Sequence, residues 1–283
     1  MPPIELVTAL AVWLVLPCLL VGGGVLAIAA RSLDARWLPM AIVSASAAAL
    51  HAGNATRHIF PWVPDHAGWR WLLVAALVAL IGSLVASRLE RHAAFGLLVH
   101  LGIAAVVTPC VVPTELHSPP WLFGFVALAA ANGLLLVRAG RGLPGGAVPL
   151  AAAAILGGGS ALVSIFAHSA RFADAATLLA AALAAIAWPA WWRRLDVSVA
   201  LPAAAVFVPG LMLAGYYETF SEVPPASFAL VAAAPLMLAI LELPAIKRQP
   251  AAWRKGLFAG LLLVPVAAAV LLASWHEDLS ASY

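Results

Sequence analysis

Lysine and arginine follow a strict alternation along this chain, which is divided into ten apolar stretches. Twelve of the fifteen basic residues lie in the connections after the first, third, fifth, seventh and ninth stretches. The other three are Arg57, Arg70 and Arg171. Short loops that stay in the cytoplasm are rich in Lys and Arg. The alternation therefore predicts a protein that crosses the cell (inner) membrane ten times, with its N- and C-termini outside the cytoplasm.

The composition also favours a membrane protein. Hydrophobic residues make up 64% of the chain and charged residues 10%, whereas a soluble domain has about 25% charged residues. A helix needs ~20 residues to cross ~30 Å of hydrocarbon, so ten spans use most of the 283 residues. We predict an all-α fold in which residues 1–283 form one polytopic helix bundle with about ten transmembrane helices and no soluble domain.

The composition and the net charge also limit which partners we expect. The lipid bilayer surrounds such a bundle on all sides. The net charge of +3 comes from arginines that anchor the cytoplasmic loops, so we expect no nucleic-acid partner. Other membrane proteins, or further copies of the chain in a homo-oligomer, are compatible with the sequence.

The span boundaries follow from the apolar stretches and their basic flanks. The predicted spans are 6–30, 37–60, 68–88, 92–112, 119–138, 147–168, 171–195, 197–217, 224–244 and 255–275. The predicted cytoplasmic residues are Arg31, Arg36, Arg88, Arg91, Arg138, Arg141, Arg193, Arg194, Lys247, Arg248, Arg254 and Lys255. Most Trp and Tyr residues fall near predicted span ends, where aromatic side chains are typical of the membrane interface.

Two glycine runs suggest an internal duplication. Gly22-Gly23-Gly24 interrupts the first span and Gly157-Gly158-Gly159 the sixth. In span count and in these runs, the chain resembles transporters built from five-plus-five inverted repeats, which bind solutes at broken helices. The halves would be residues 1–140 and 147–283. The alternative interpretation is that the glycines allow close helix packing, as small residues do in membrane interiors.

Polar side chains at membrane depth form two stripes. Such groups cost free energy in hydrocarbon and normally face a cavity or a partner. At 100° per residue, the first stripe lies within about 80° on the second span, and the second repeats every fourth residue on the sixth. The residues are Ser44, His51, Asn54 and His58 on the second span, and Ser160, Ser164 and His168 on the sixth, followed by Asp174. Both stripes point toward the predicted external side.

These residues allow three kinds of site. Imidazoles with a carboxylate bind zinc or copper if they converge, and the candidates are His51, His117, His168 and Glu115. Paired histidines could instead ligate haem, or the stripes could line a solute or proton path. No HExxH motif or short Cys/His cluster is present, and the sequence requires no cofactor. His51 and His58 lie ~10 Å apart along their helix, too far to bind one metal directly.

Three function classes follow. The favoured prediction is a permease for a small solute, with a path near the first, second and sixth spans. The second is a non-catalytic membrane subunit or scaffold of a larger complex. The third is an intramembrane enzyme that depends on a metal or haem, with an outward-facing histidine site. The sequence identifies no catalytic residue, so enzymatic activity stays open.

Overall fold

The computed structural model is a bundle of ten helical segments, and no strand occurs in the part of the chain that it describes. It describes residues 11–32, 34–61, 68–89, 93–141, 143–219 and 222–280. The helices are α1 (11–32), α2 (Leu38–Arg57), α3 (Leu72–Leu89), α4 (Ala93–Val111), α5 (Pro119–Arg141), α6 (Ala147–Phe166), α7 (Ala170–Arg193), α8 (Pro202–Glu218), α9 (Pro225–Glu242) and α10 (Ala251–Ser280).

The prediction of an all-α bundle is confirmed. Each predicted span corresponds to one helix, with ends that agree within a few residues. Eight of the helices are long and apolar enough to cross a membrane, and α4 contains a shorter apolar stretch, Phe95–Val111. The polar residues His51 and Asn54 lower the hydropathy of α2, which is not among the eight. Residues 6–10 of the first predicted span, and Arg91, lie outside the described residues.

The centre of the bundle is formed by α7 and α8. Buried residues make up 67% of the most apolar stretch of α7 and 94% of that within Ser198–Glu218, which is α8 and the turn before it. Helix α7 packs against α1, α2 and α6, whereas α8 packs against α3, α5 and α9. Small residues allow this density: a Cβ atom on Gly210 would lie 2.5 Å from Leu72 Cδ2 and 2.6 Å from Val111 Cγ1. Close approach through small residues is the main means by which membrane helices associate.

Both glycine runs lie in helices that remain continuous. Each run overlaps a change of winding, since the π-helical segments Leu19–Gly23 of α1 and Ala153–Gly157 of α6 both end at a glycine of the run. A Cβ atom on Gly22 would lie 2.7 Å from Ala49 Cβ, and one on Gly157 would lie 2.6 Å from Ala180 Cβ. The glycines therefore bring α1 against α2, and α6 against α7. The five-plus-five inverted repeat stays a prediction.

Helix α9 changes its winding halfway. It is α-helical over Pro225–Ala233 and a 3₁₀ helix over Ala234–Glu242. Pro235 has no N–H to donate to the preceding turn, and Asn132 Nδ2 of α5 donates to the Ala232 carbonyl oxygen at 2.8 Å. In hydrocarbon, carbonyls freed in this way need another donor. Asn132 therefore stabilises the point at which the winding changes.

Candidate functional site

The three basic residues that break the charge alternation lie at one end of the bundle. Arg57 ends α2, Arg70 lies in the 3₁₀ turn Trp69–Trp71 before α3, and Arg171 lies in the first turn of α7. Asp174, on the next turn of α7, accepts a hydrogen bond from Arg57 at 2.9 Å. The exceptions to the sequence pattern therefore mark a polar surface, which lies at the end that the charge pattern predicts to be external.

Two adjoining cavities form this surface, which we call the Trp69 basin. One cavity has a volume of about 430 Å³ and is lined by His168, Arg171 and Glu218 among others. The second, of about 330 Å³, is lined by His58 and Arg70. Trp69 and Arg171 belong to both cavities. The basin thus brings together side chains from α7, α8, the turn before α3 and the residues that follow α2 and α6.

Buried aromatic rings fix the floor of the basin. The Trp69 ring lies 5.6 Å from the Phe172 ring, edge to face, and 5.6 Å from the Phe60 ring. Phe60 in turn contacts Phe207 of α8 at 5.9 Å. The Arg171 guanidinium lies over the Trp69 ring, 5.3 Å from its centroid, a favourable cation–π geometry. Packing therefore holds Trp69 and Arg171 in place before any ligand arrives.

The two histidines of the basin end their helices. His58 follows α2 and His168 follows α6, and both have a left-handed backbone with φ of 51° and 55°. This conformation is uncommon for residues other than glycine and is typical of the residue that follows a helix. The His58 N–H donates to the Asn54 carbonyl oxygen at 2.7 Å. Both imidazoles are exposed, so they are available to a ligand in the basin.

Asn54 supports the basin from below. Its side chain is fully buried, accepts the Phe60 N–H at 2.8 Å and donates to the Phe60 carbonyl oxygen at 3.2 Å. These two bonds fix the chain where it leaves α2 and place Phe60 against Trp69. Asn54 is therefore a positioning residue.

The remaining residues of the two predicted stripes lie apart from the basin. Ser44 and His51 are exposed on α2 and line none of the cavities described. Ser160 is fully buried and donates to the Leu156 carbonyl oxygen at 2.6 Å. Ser164 is fully buried, and its Oγ has no hydrogen-bond partner among the described residues. The stripes thus contribute His58, His168, Asn54 and Asp174 to this end of the bundle.

The residues predicted to bind a metal contact different parts of the protein. His117 Nε2 lies 2.8 Å from the Val112 carbonyl oxygen, within its own loop. Glu115 is exposed and lies within electrostatic range of Glu218. Across the described ranges, no three His, Cys, Asp or Glu side chains are grouped so that they could hold a metal ion. The zinc, copper and haem hypotheses stay predictions.

A third polar cavity, the Arg141 cavity, lies at the opposite end of α8 from the Trp69 basin. It has a volume of about 300 Å³ and is lined by Ser83, Arg141, Asp196 and Ser198 among others. Arg141 and Asp196 lie within electrostatic range of each other. Asp196 Oδ1 also accepts the Ser198 N–H at 2.9 Å. This end of the bundle therefore also combines an arginine with a carboxylate.

The sequence does not predict the residues that build the Trp69 basin and the Arg141 cavity. From the sequence, Trp69 is only one of several aromatic residues near predicted span ends, and Arg141 is only one of the predicted cytoplasmic residues. A usable signal was present for one cavity: Arg57, Arg70 and Arg171 are the only basic residues outside the predicted cytoplasmic loops. The Arg141 cavity had no such signal, because arginine is common at cytoplasmic helix ends.

No family profile, curated protein or solved structure matches this chain. The fold and the apolar helices define the class: this is a polytopic, all-α helical membrane protein.

Proposed function

We propose that this protein is a permease that carries a small solute with an anionic group across the cytoplasmic membrane. The observation that supports it is a polar cavity at each end of the most buried helix, α8. Helix α8 and the 3₁₀ turn before it together comprise Ser198–Glu218, which extends ~30 Å from the Arg141 cavity to the Trp69 basin at ~1.5 Å per residue. A permease needs an opening to each side of the membrane, and charged side chains at the openings select the charge of the solute.

The side chains indicate the solute class. Each cavity combines an arginine with a carboxylate, Arg171 with Glu218 and Arg141 with Asp196. Guanidinium groups bind carboxylate and phosphate through paired hydrogen bonds, and a carboxylate accepts from an ammonium group. Volumes of about 430 and 300 Å³ suit a small molecule. A solute with both a carboxylate and an amine, of the size of an amino acid, fits this chemistry best.

Three helices depart from α-helical winding, which suits a change between a state open at the Trp69 basin and a state open at the Arg141 cavity. Helices α1 and α6 contain π-helical segments, and half of α9 is a 3₁₀ helix. Such departures from α-helical winding often mark hinges and functional sites. Helices α1 and α6 both pack on α7, whose first turn carries Arg171. A shift of either helix would therefore reach the basin through α7.

The proposal is tested by uptake into proteoliposomes. The purified protein is offered radiolabelled amino acids and small carboxylates, and accumulation is compared with empty liposomes. For a transported solute, R171Q and R141Q should each lower uptake about tenfold or more, because a hydrogen bond to a charged group contributes ~1.5–3 kcal/mol. The control is R248Q, since Arg248 is exposed and lines neither cavity.

Two results would contradict the proposal. Uptake no faster than in empty liposomes for every solute of the panel would contradict the permease and favour a non-catalytic subunit. A transported solute whose uptake is the same in R171Q, R141Q and R248Q would contradict the role assigned to the two arginine–carboxylate sites. Melting temperatures of all three variants separate a loss of transport from a loss of folded protein.

A further inference from the structure

An apolar groove opens between α5, α8 and α9, and none of its lining residues lines the Trp69 basin or the Arg141 cavity. It has a volume of about 570 Å³, and every lining residue except Tyr216 is apolar. Phe125 and Phe228 are buried and form its floor, whereas Trp121 and Tyr216 are 47% and 45% exposed. Gly124 is an exposed part of the α5 wall. The groove therefore faces the bilayer and has the volume of a ligand pocket.

The groove has the length of one lipid leaflet. On α5 it extends from Pro120 to Leu128, which is ~12 Å at ~1.5 Å per residue. Half of the hydrocarbon core is ~15 Å thick. Its upper end lies at Pro120 and Pro225, beside the first turns of α5 and α9, and holds Trp121 and Tyr216. Tryptophan and tyrosine are typical of the level of lipid headgroups. A single aliphatic chain that hangs from this level would fill the groove.

Acidic residues precede two of the three helices that form the groove, close to its upper end. Glu115 lies five residues before Pro120 of α5, and Glu222 lies three residues before Pro225 of α9. No Lys or Arg occurs between residues 112 and 137 or between 195 and 246. Glu218, at the end of α8, lines the Trp69 basin instead, beside Gly68 and within electrostatic range of Arg70 and Arg171. Glu115 and Glu222 are exposed, and they make the mouth attractive to a cation.

We propose that this groove binds the acyl chain of a phospholipid whose headgroup carries a primary ammonium group. The chain contacts the aromatic floor, and the ammonium group lies between Glu115 and Glu222. A lipid with an anionic headgroup would be repelled by the same carboxylates. The site is independent of transport, because it requires neither the Trp69 basin nor the Arg141 cavity.

The test measures lipids that stay bound to the purified protein. The protein is reconstituted in nanodiscs with equal amounts of phosphatidylethanolamine and phosphatidylglycerol of identical chains, then extracted and analysed by native mass spectrometry. The wild type should retain phosphatidylethanolamine in preference to phosphatidylglycerol by about threefold, the order of effect expected of exposed ion pairs. The double variant E115Q/E222Q should retain both lipids equally, because the groove remains and the charges do not.

A second pair of variants tests the groove itself. A Cβ atom on Gly124 would meet nothing within 4 Å, so G124W fills the groove without a clash of its Cβ. Gly102 on α4 has the same free space, is exposed and lies outside the groove. G124W should lose the retained lipid, whereas G102W should keep it. Equal retention by these two variants would overturn the proposal, and so would a wild-type preference for phosphatidylglycerol or for neither lipid.

Discussion

Asn54 shows how one polar side chain organises the end of a membrane helix. It is fully buried, and both of its amide atoms bond the backbone of Phe60. His58 between them has a left-handed backbone, so the chain turns sharply and Phe60 returns to the aromatic floor of the basin. Neutral hydrogen bonds between membrane helices contribute little on average. Here the bonds matter because they satisfy backbone groups that would otherwise be buried without partners.

We therefore expect N54A to destabilise the protein. Two buried backbone groups of Phe60 lose their partner, which costs about 1–3 kcal/mol. The thermal melting temperature in detergent should fall. S44A on the same helix changes an exposed side chain and should shift the free energy of unfolding by less than ~0.5 kcal/mol. Equal melting temperatures for N54A and S44A would refute the role assigned to Asn54.

The sequence predicted that these residues share a face, but not what covers that face. A period of 100° per residue places Ser44, His51 and Asn54 within one sector of α2. In the structure Asn54 is buried, whereas Ser44 and His51 are exposed. This sector lies at the edge of the buried face of α2. The packing of α1 and α7 against α2 determines which of its residues are buried. Periodicity contains no information about neighbouring helices.

At the scale of helices, the glycine runs act through contact and not through interruption. Within one run, Gly22 packs against α2 and α7, whereas a Cβ atom on Gly24 would meet nothing within 4 Å. The sequence could predict where the runs lie and that they are unusual. It could not predict that both helices continue through them, because π-helical winding accommodates the runs without a break.

This difference gives a matched pair of substitutions. G22A should destabilise the protein by about 1–3 kcal/mol, the usual cost of overpacking, because its Cβ would lie 2.7 Å from Ala49 Cβ and 2.9 Å from the Ala45 carbonyl oxygen. G24A should be neutral or stabilising by up to ~1 kcal/mol, since alanine favours the helix. Thermal unfolding in one detergent compares the two. If G24A lowers stability as much as G22A, close packing is not the role of the run.

The sequence predicted the helices well and the cavities poorly. Ten helices follow from hydropathy and loop charge, which are local properties of the chain. The Trp69 basin depends on contacts such as that between Arg57 and Asp174, 117 positions apart. Such pairings arise from how the helices pack, which local patterns do not specify.

At the scale of the whole molecule, the charge pattern predicts an orientation. The loop that contains Lys247 and Lys255 should face the cytoplasm, and the loop before α5 should lie outside, with the Trp69 basin. Q249C and S118C place single exposed cysteines in these loops, in a background without Cys18 and Cys110. A membrane-impermeant maleimide added to intact cells should label S118C. Q249C should react only after the cells are permeabilised, and the reverse pattern would overturn the orientation.

The change of winding in α9 has a consequence for the fit between protein and bilayer. Its α-helical half and its 3₁₀ half each have nine residues, which at ~1.5 and ~2.0 Å per residue extend ~31 Å. The same eighteen residues wound entirely as an α-helix would extend only ~27 Å, less than the ~30 Å of hydrocarbon. Such a shortfall is hydrophobic mismatch, which a bilayer relieves by thinning. The extended half of α9 therefore matches a short segment to a membrane of ordinary thickness.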